Sequence, residues 1–148
     1  MNLSLRFEDN HTAHKDLVLR FAGERWECDS YYLALDQGLL PKREDANKVR
    51  AVLQRLLEKW LAAVERLPDG GTAYLPYDFS DQYTGWLSCC RSGDGVEVSR
   101  GWAKVEGWSV SPSAVGDLFN RPAGFQTTGP IVRGSAAELV QTVREMIA

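Results

Sequence analysis

One long apolar stripe constrains this chain more than any other feature of its sequence. Apolar residues recur at three- and four-residue steps, at Ala46, Val49, Val52, Leu53, Leu56, Leu57, Trp60, Leu61, Val64 and Leu67. This spacing predicts an amphipathic helix from about Pro41 or Lys42 to about Arg66. Residues 68–71, Pro-Asp-Gly-Gly, end it. A lone amphipathic helix gains little stability in water, so we expect the stripe to pack against a sheet.

Alternation of apolar and polar residues predicts β-strands on both sides of that helix. Before it, residues 3–7 and 17–21 alternate across a polar connector, which favours a hairpin, and Trp26 and Cys28 indicate a third strand. A short helix is expected next, capped by Asp29 or Ser30. After the long helix we predict strands at residues 72–75, 85–91, 96–102 and 105–110. We expect a loop at residues 124–134.

The C-terminal segment carries a clear helix signal. Ser135-Ala136-Ala137-Glu138 has the form of a capping box, and the apolar residues after it follow helical spacing. Ser111-Pro112 also resembles an N-cap followed by proline, which predicts a short helix. No shift in composition divides the chain, so residues 1–148 are expected to form a single domain. The predicted fold is α+β: a mainly antiparallel sheet packed against a long amphipathic helix, with a C-terminal helix.

The negative charge of the chain is concentrated in one segment. The whole chain has 17 Lys and Arg against 20 Asp and Glu, a net charge of −3. Residues 67–117 hold seven acidic and three basic side chains, a net of −4, whereas residues 1–66 are neutral. Nucleic-acid binding needs clustered Lys and Arg, so we expect no nucleic-acid partner. A protein partner with a basic surface suits this pattern better.

The cysteines and the N-terminus predict a cytoplasmic protein. The three cysteines, Cys28, Cys89 and Cys90, make no disulfide framework, which favours a reducing compartment. If Cys89 and Cys90 lie on a strand, their side chains point to opposite faces. Residues 1–6 lack an apolar signal core, and no apolar run approaches the length of a membrane span. We therefore expect no membrane association.

The stretch from Tyr74 to Tyr83 is the strongest candidate site. It combines four aromatic residues with Asp78 and Asp81 around a proline, and we expect it to form a loop. Three interpretations stand: a packed loop whose aspartates cap backbone amides, a partner-binding loop, or a pair of catalytic carboxylates. The residues that we expect to contact a partner are Tyr77, Asp78, Asp81, Tyr83 and Glu97.

Other candidate sites have ordinary structural explanations. The dipeptides Gly85-Trp86, Gly101-Trp102 and Gly107-Trp108 could expose aromatic side chains, but strand tryptophans more often fill the core while glycine permits close packing. His11 and His14 have a metal-ligand spacing, yet they lie in a polar connector, and we expect no metal and no cofactor. Buried strand cysteines behave mostly as small hydrophobes, so no catalytic residue is predicted.

Two groups of residues resemble a known class of proteins. Tyr77-Asp78-Phe79-Ser80-Asp81, together with Gly101-Trp102 and the segment from Gly107 to Pro112, resembles small bacterial immunity proteins of polymorphic-toxin and contact-dependent inhibition systems. The resemblance covers about residues 70–120. It implies a cytoplasmic protein that binds a cognate toxin and blocks it without catalysis. The alternatives are a small enzyme using Asp78, Asp81 or a cysteine, and an accessory subunit with an aromatic oligomer interface.

Overall fold

The computed structural model describes residues 1–36, 38 and 43–147. Its strands are β1 (Leu3–Phe7), β2 (Leu17–Phe21), β3 (Glu24–Cys28), β4 (Thr72–Phe79), β5 (Thr84–Ser92), β6 (Gly95–Ala103) and β7 (Gln126–Ser135). Its helices are α1 (Tyr31–Ala34), α2 (Ala46–Glu65) and α3 (Ala136–Ile147). Two single 3₁₀ turns, Gly107–Ser109 and Pro112–Ala114, follow β6.

The strands form two antiparallel sheets. The first has the order β1-β2-β3 and the second the order β4-β5-β6-β7, so each strand pairs with its neighbour in the chain. The predicted hairpin of β1 and β2 is confirmed, with Leu3 opposite Phe21 and Phe7 opposite Leu17. The α+β class is therefore confirmed, and its strands divide between two sheets instead of extending one.

The long helix α2 buries the predicted stripe. Val52, Leu56 and Trp60 are fully enclosed, and the indole Nε1 of Trp60 donates to the carbonyl oxygen of Pro76 at 3.0 Å. This bond joins the helix to β4 and satisfies the one polar atom of a buried indole. The same stripe packs with residues of both sheets in one hydrophobic core.

The predicted start of α2 was too early. Pro41 and Lys42 lie outside the described residues, and residues 43–45 are not helical. The helix begins at Ala46 because the side chain of Asp45 accepts a hydrogen bond from the backbone N–H of Lys48 at 3.1 Å, which is N-cap geometry. The C-terminal boundary is close to the prediction, with Arg66 as the C-cap.

Three predictions about the second sheet were wrong. Strand β4 does not stop at Pro76; it continues to Phe79 through a bulge between Pro76 and Asp78, and a proline is tolerated because β4 is an edge strand. Residues 105–110 contain the 3₁₀ turn Gly107–Ser109 and no strand. The expected loop at residues 124–134 is mostly strand β7. Gly129, with φ of +80°, lies at a bulge in this strand, and the bulge accommodates a residue of poor strand propensity.

The capping box at the start of α3 is confirmed. The backbone N–H of Glu138 donates to Ser135 Oγ at 3.0 Å. In return, the backbone N–H of Ser135 donates to the Glu138 carboxylate at 3.3 Å. Because Ser135 is also the last residue of β7, the chain turns directly from strand to helix. The helix buries Leu139 and Val143 and packs against α2.

Candidate functional site

A cleft of about 910 Å³ opens where β3 of the first sheet approaches strands β4, β5 and β6 of the second. Its aromatic lining residues are Trp26, Tyr77, Tyr83 and Trp102. Its charged lining residues are Asp78, Arg100, Lys104 and Glu106. This space, called here the aromatic cleft, has the volume and the mixed apolar and polar lining of small-molecule sites.

Two glycines, Gly85 and Gly101, line the aromatic cleft at positions where the backbone packs tightly against its neighbours. A Cβ atom at Gly85 would lie 2.9 Å from Tyr77 Cζ and from Asp78 Cβ. A Cβ atom at Gly101 would lie 2.3 Å from the carbonyl oxygen of Gln126. Any larger residue at either position would displace a neighbour, so the glycines of the Gly-Trp pairs serve close packing, as predicted.

Asp78 is a buried carboxylate within the aromatic cleft. It is 6% exposed, and burial raises its pKa to about 6. Hydrogen bonds from Trp26 and Cys28 and the attraction of Arg100 lower that pKa, whereas the charge of Asp29 raises it. Desolvation dominates because the charged form loses most of its hydration. Asp78 therefore titrates close to neutrality, a property that is common in binding and catalytic sites.

Arg100 brings a second buried charge to the aromatic cleft. It is 9% exposed, and its guanidinium carbon lies 3.9 Å from the centroid of the Trp26 ring. The guanidinium also hydrogen bonds to the Tyr77 phenol, although burial dominates and raises the pKa of Tyr77. Trp26 and Tyr77 thus orient Arg100 from the first sheet and from β4.

A second hollow lies on the other side of the turn between β4 and β5. It is lined in part by His14, Asp29, Tyr31, Tyr32 and Asp81, and it shares Tyr83 with the aromatic cleft. The Tyr32 hydroxyl donates a hydrogen bond to Asp81, which raises the pKa of Tyr32. The rings of Tyr31 and Tyr32 pack edge to face with their centroids 5.3 Å apart.

Exposed aromatic side chains gather around this turn. The exposed fractions are 40% for Trp26, 47% for Tyr31, 38% for Tyr83 and 69% for Trp108. Trp108 is held there because the N–H of the preceding Gly107 donates to the carbonyl oxygen of Ser80 at 2.6 Å. These four residues around residues 80–83 are called here the turn surface. In the part of the chain that the structure describes, the only other large exposed hydrophobic residue is Ile131.

The predicted site residues occupy three places. Tyr77 and Asp78 line the aromatic cleft, with Tyr77 almost fully buried, and Tyr83 stands between the cleft and the second hollow. Asp81 lines only the second hollow, so Asp78 and Asp81 face different spaces. Glu97 lies apart and pairs with Arg133 across β6 and β7 at 3.0 Å.

Trp26 and Arg100 were not among the site residues predicted from the sequence, and for Trp108 a core position was preferred to an exposed one. Arg100 carried a usable signal, because it shares an inward-facing strand side with Val96 and Val98. A charged residue on an apolar face indicates either a buried ion pair or a site. The preferred core position holds for Trp86 but is wrong for Trp108, because Trp108 lies in a 3₁₀ turn and not in a strand.

The cysteines and histidines contribute little to this arrangement. Cys89 is buried and Cys90 exposed, as predicted for neighbours on a strand. Burial raises the pKa of both the Cys28 and the Cys89 thiols, which keeps them protonated at neutral pH. His11 and His14 are exposed and lie beside Asp9 and Asp29. Among the described residues, no group of three or more His, Cys, Asp and Glu side chains is placed to hold a metal ion.

Comparison with protein-family models, curated proteins and solved structures finds no match for this chain. Of the helices in the described ranges, none combines the length and the apolar character needed to cross a membrane.

Proposed function

We propose that this chain is a protein-binding inhibitor of the immunity type, and that the turn surface is its binding face. One observation carries the proposal: four of the five large exposed hydrophobic residues in the described part of the chain gather around a single turn. Tryptophan and tyrosine are the residues most enriched among interface hot spots. A cluster of exposed aromatic side chains is costly in water unless a partner covers it.

The charges around the turn surface favour a basic partner. Asp29 and Asp81 line the second hollow, and Glu106 lines the aromatic cleft one residue before the turn that carries Trp108. Residues 67–117 carry a net charge of −4. Carboxylates at the edge of an aromatic patch speed encounter with a basic protein and fix its orientation. A toxin domain with a basic site is the partner that the resemblance to immunity proteins implies.

The proposed compartment and mode of action are those of immunity proteins. The chain acts in the cytoplasm, blocks its partner by occupying a surface, and performs no catalysis. Inhibition depends on tight binding to the partner. The aromatic side chains lose their hydration at the interface, and the surrounding charges discriminate against other proteins.

The test is co-expression with the product of a toxin-like gene next to the one that encodes this chain. The wild-type chain is expected to protect the cells and to co-purify with the toxin. Replacing both Tyr83 and Trp108 with alanine removes two anchors and is expected to weaken binding by at least about 2 kcal/mol. Ile131→Ala is the matched control, because it removes an exposed apolar side chain of β7 that is not part of the turn surface.

Two outcomes would contradict the proposal. Full protection by a folded Tyr83→Ala, Trp108→Ala double variant would show that the turn surface is not the binding face. If the wild-type chain instead forms dimers that the double variant abolishes, the turn surface is an oligomer interface. Sedimentation velocity of both proteins distinguishes these cases.

A further inference from the structure

Two buried charges of opposite sign face the aromatic cleft without pairing. Asp78 enters it from β4 and Arg100 from β6, and both line the same space. Neither forms a salt bridge with any residue that the structure describes. They are close enough that the charge of Arg100 lowers the pKa of Asp78, so they share one electrostatic environment.

This arrangement is unfavourable for the protein by itself. A buried charge loses its hydration, and neutral neighbours compensate for that loss less fully than a well-placed partner of opposite sign. Arg100 is partly compensated by the ring of Trp26 and the Tyr77 hydroxyl, and Asp78 by Trp26 and Cys28. Both charges remain without a direct counter-ion, and the cleft leaves room between the walls for a ligand to supply one.

We infer that the aromatic cleft binds a small zwitterion of the α-amino acid class, with its ammonium group at Asp78 and its carboxylate at Arg100. A ligand of this kind supplies both missing counter-ions at once. Its side chain would lie against Tyr83 and Trp102, which offer aromatic faces beside the two charges. We therefore expect aromatic amino acids to bind best.

The charges at the mouth of the cleft argue for a zwitterion over an ion of one sign. Lys104 and Glu106 also line the cleft, and both are exposed. Together with Asp78 and Arg100 they make the lining electrically balanced. A purely cationic ligand would be repelled by Arg100 and would leave it without a counter-ion. A purely anionic ligand would be repelled by Asp78 and would leave that carboxylate without a counter-ion.

The inference goes beyond the proposed function and does not depend on it, because its test contains no partner protein. The purified full chain is titrated with each standard amino acid, with the melting temperature and then the heat of binding as readouts. The strongest binder is compared with its amide, which keeps only the positive charge, and with its deaminated acid, which keeps only the negative charge. For phenylalanine these probes are phenylalaninamide and 3-phenylpropanoate.

The zwitterion is expected to bind roughly tenfold or more tightly than either single-charge analogue, since each analogue loses one charge-assisted hydrogen-bonding group. Asp78→Asn and Arg100→Gln should each reduce the affinity by a similar factor. Asp81→Asn is the matched control, because that carboxylate belongs to the second hollow and its loss should leave the affinity unchanged.

Three results would overturn the inference. They are the absence of binding by every amino acid at millimolar concentration, equal binding of the zwitterion and one of its analogues, and undiminished binding by a folded Asp78→Asn variant. Arg100→Gln loses the stacking on Trp26 and is more prone to misfold than Asp78→Asn. The near-isosteric Asp78→Asn variant decides the question if Arg100→Gln does not fold.

Discussion

Asp78 lines the aromatic cleft, but burying its carboxylate lowers the stability of the fold. Below its unfolded pKa of 3.8 the carboxyl is neutral in both the folded and the unfolded state. Above that value the unfolded chain loses the proton first, since the folded pKa is raised to about 6. The folded state therefore loses stability as the pH rises through that window. Keeping a carboxylate at such a position suggests a role that outweighs its cost.

Asp78→Asn is expected to change the pH dependence of stability in a defined direction. The difference of about two pKa units corresponds to about 3 kcal/mol. Because asparagine does not ionise, the free energy of unfolding of the variant, relative to the wild type, should rise by up to that amount between about pH 4 and about pH 7. Urea melts of both proteins across this range measure it. A difference that stays constant with pH would mean that Asp78 is hydrated in the folded protein.

Arg100 and Gly101 show how neighbouring residues in a strand divide the work of a site. Arg100 extends its guanidinium over Trp26, while Gly101 lets the backbone of β7 and the ring of Phe125 approach where a side chain would clash. A methyl group at Gly101 would meet a carbonyl oxygen at 2.3 Å, which is a backbone contact that cannot rotate away. In β6, three consecutive residues therefore have different roles in the aromatic cleft. Arg100 supplies a charge, Gly101 permits close packing, and Trp102 supplies an aromatic side chain to the lining.

At the scale of elements, helix α2 contributes a large share of the buried core. Leu56 is fully buried in the middle of its stripe, and the core around it includes residues of both sheets. Leu56→Ala is expected to lower the free energy of unfolding by about 2–5 kcal/mol, because it removes apolar contacts and leaves a cavity. Leu61→Ala on the same helix is the matched control. Leu61 is only partly buried and should lose less.

Denaturant melts of the two variants compare these positions directly. Equal losses for Leu56→Ala and Leu61→Ala, or a loss below about half a kcal/mol at Leu56, would mean that the stripe is not the centre of the core.

At the scale of the whole molecule, the uneven charge matters more than the net charge. A surface with a local excess of carboxylates attracts a basic partner over a distance set by the salt concentration. Association with the proposed toxin partner should therefore slow as ionic strength rises, while the dissociation rate changes less. Stopped-flow or surface-binding kinetics at two salt concentrations measure both rates.

A charge reversal tests the same idea at one position. Asp81→Lys at the turn surface should slow association at low salt, whereas Asp94→Lys in the exposed turn between β5 and β6 is the matched control. If both variants associate at the wild-type rate, the carboxylates around the turn surface do not steer the partner.

Local patterns in the sequence determined most of the elements. The stripe of α2, the alternation of β1, β2 and β6, and the capping box at Ser135 all depend on residues close together in the chain. Such signals are set by side-chain spacing and backbone preference, and the α+β class follows from them.

The tertiary structure alone decided the rest, because the deciding contacts join residues far apart in the chain. Strand β7 contains glycine and proline, and it is a strand only because β6 pairs with it. The aromatic cleft joins Trp26 of β3, Asp78 of β4 and Arg100 of β6, and no local pattern shows that these three residues meet. The sequence indicated which side chains could act, and the packing of two sheets on one helix selected those that share a site.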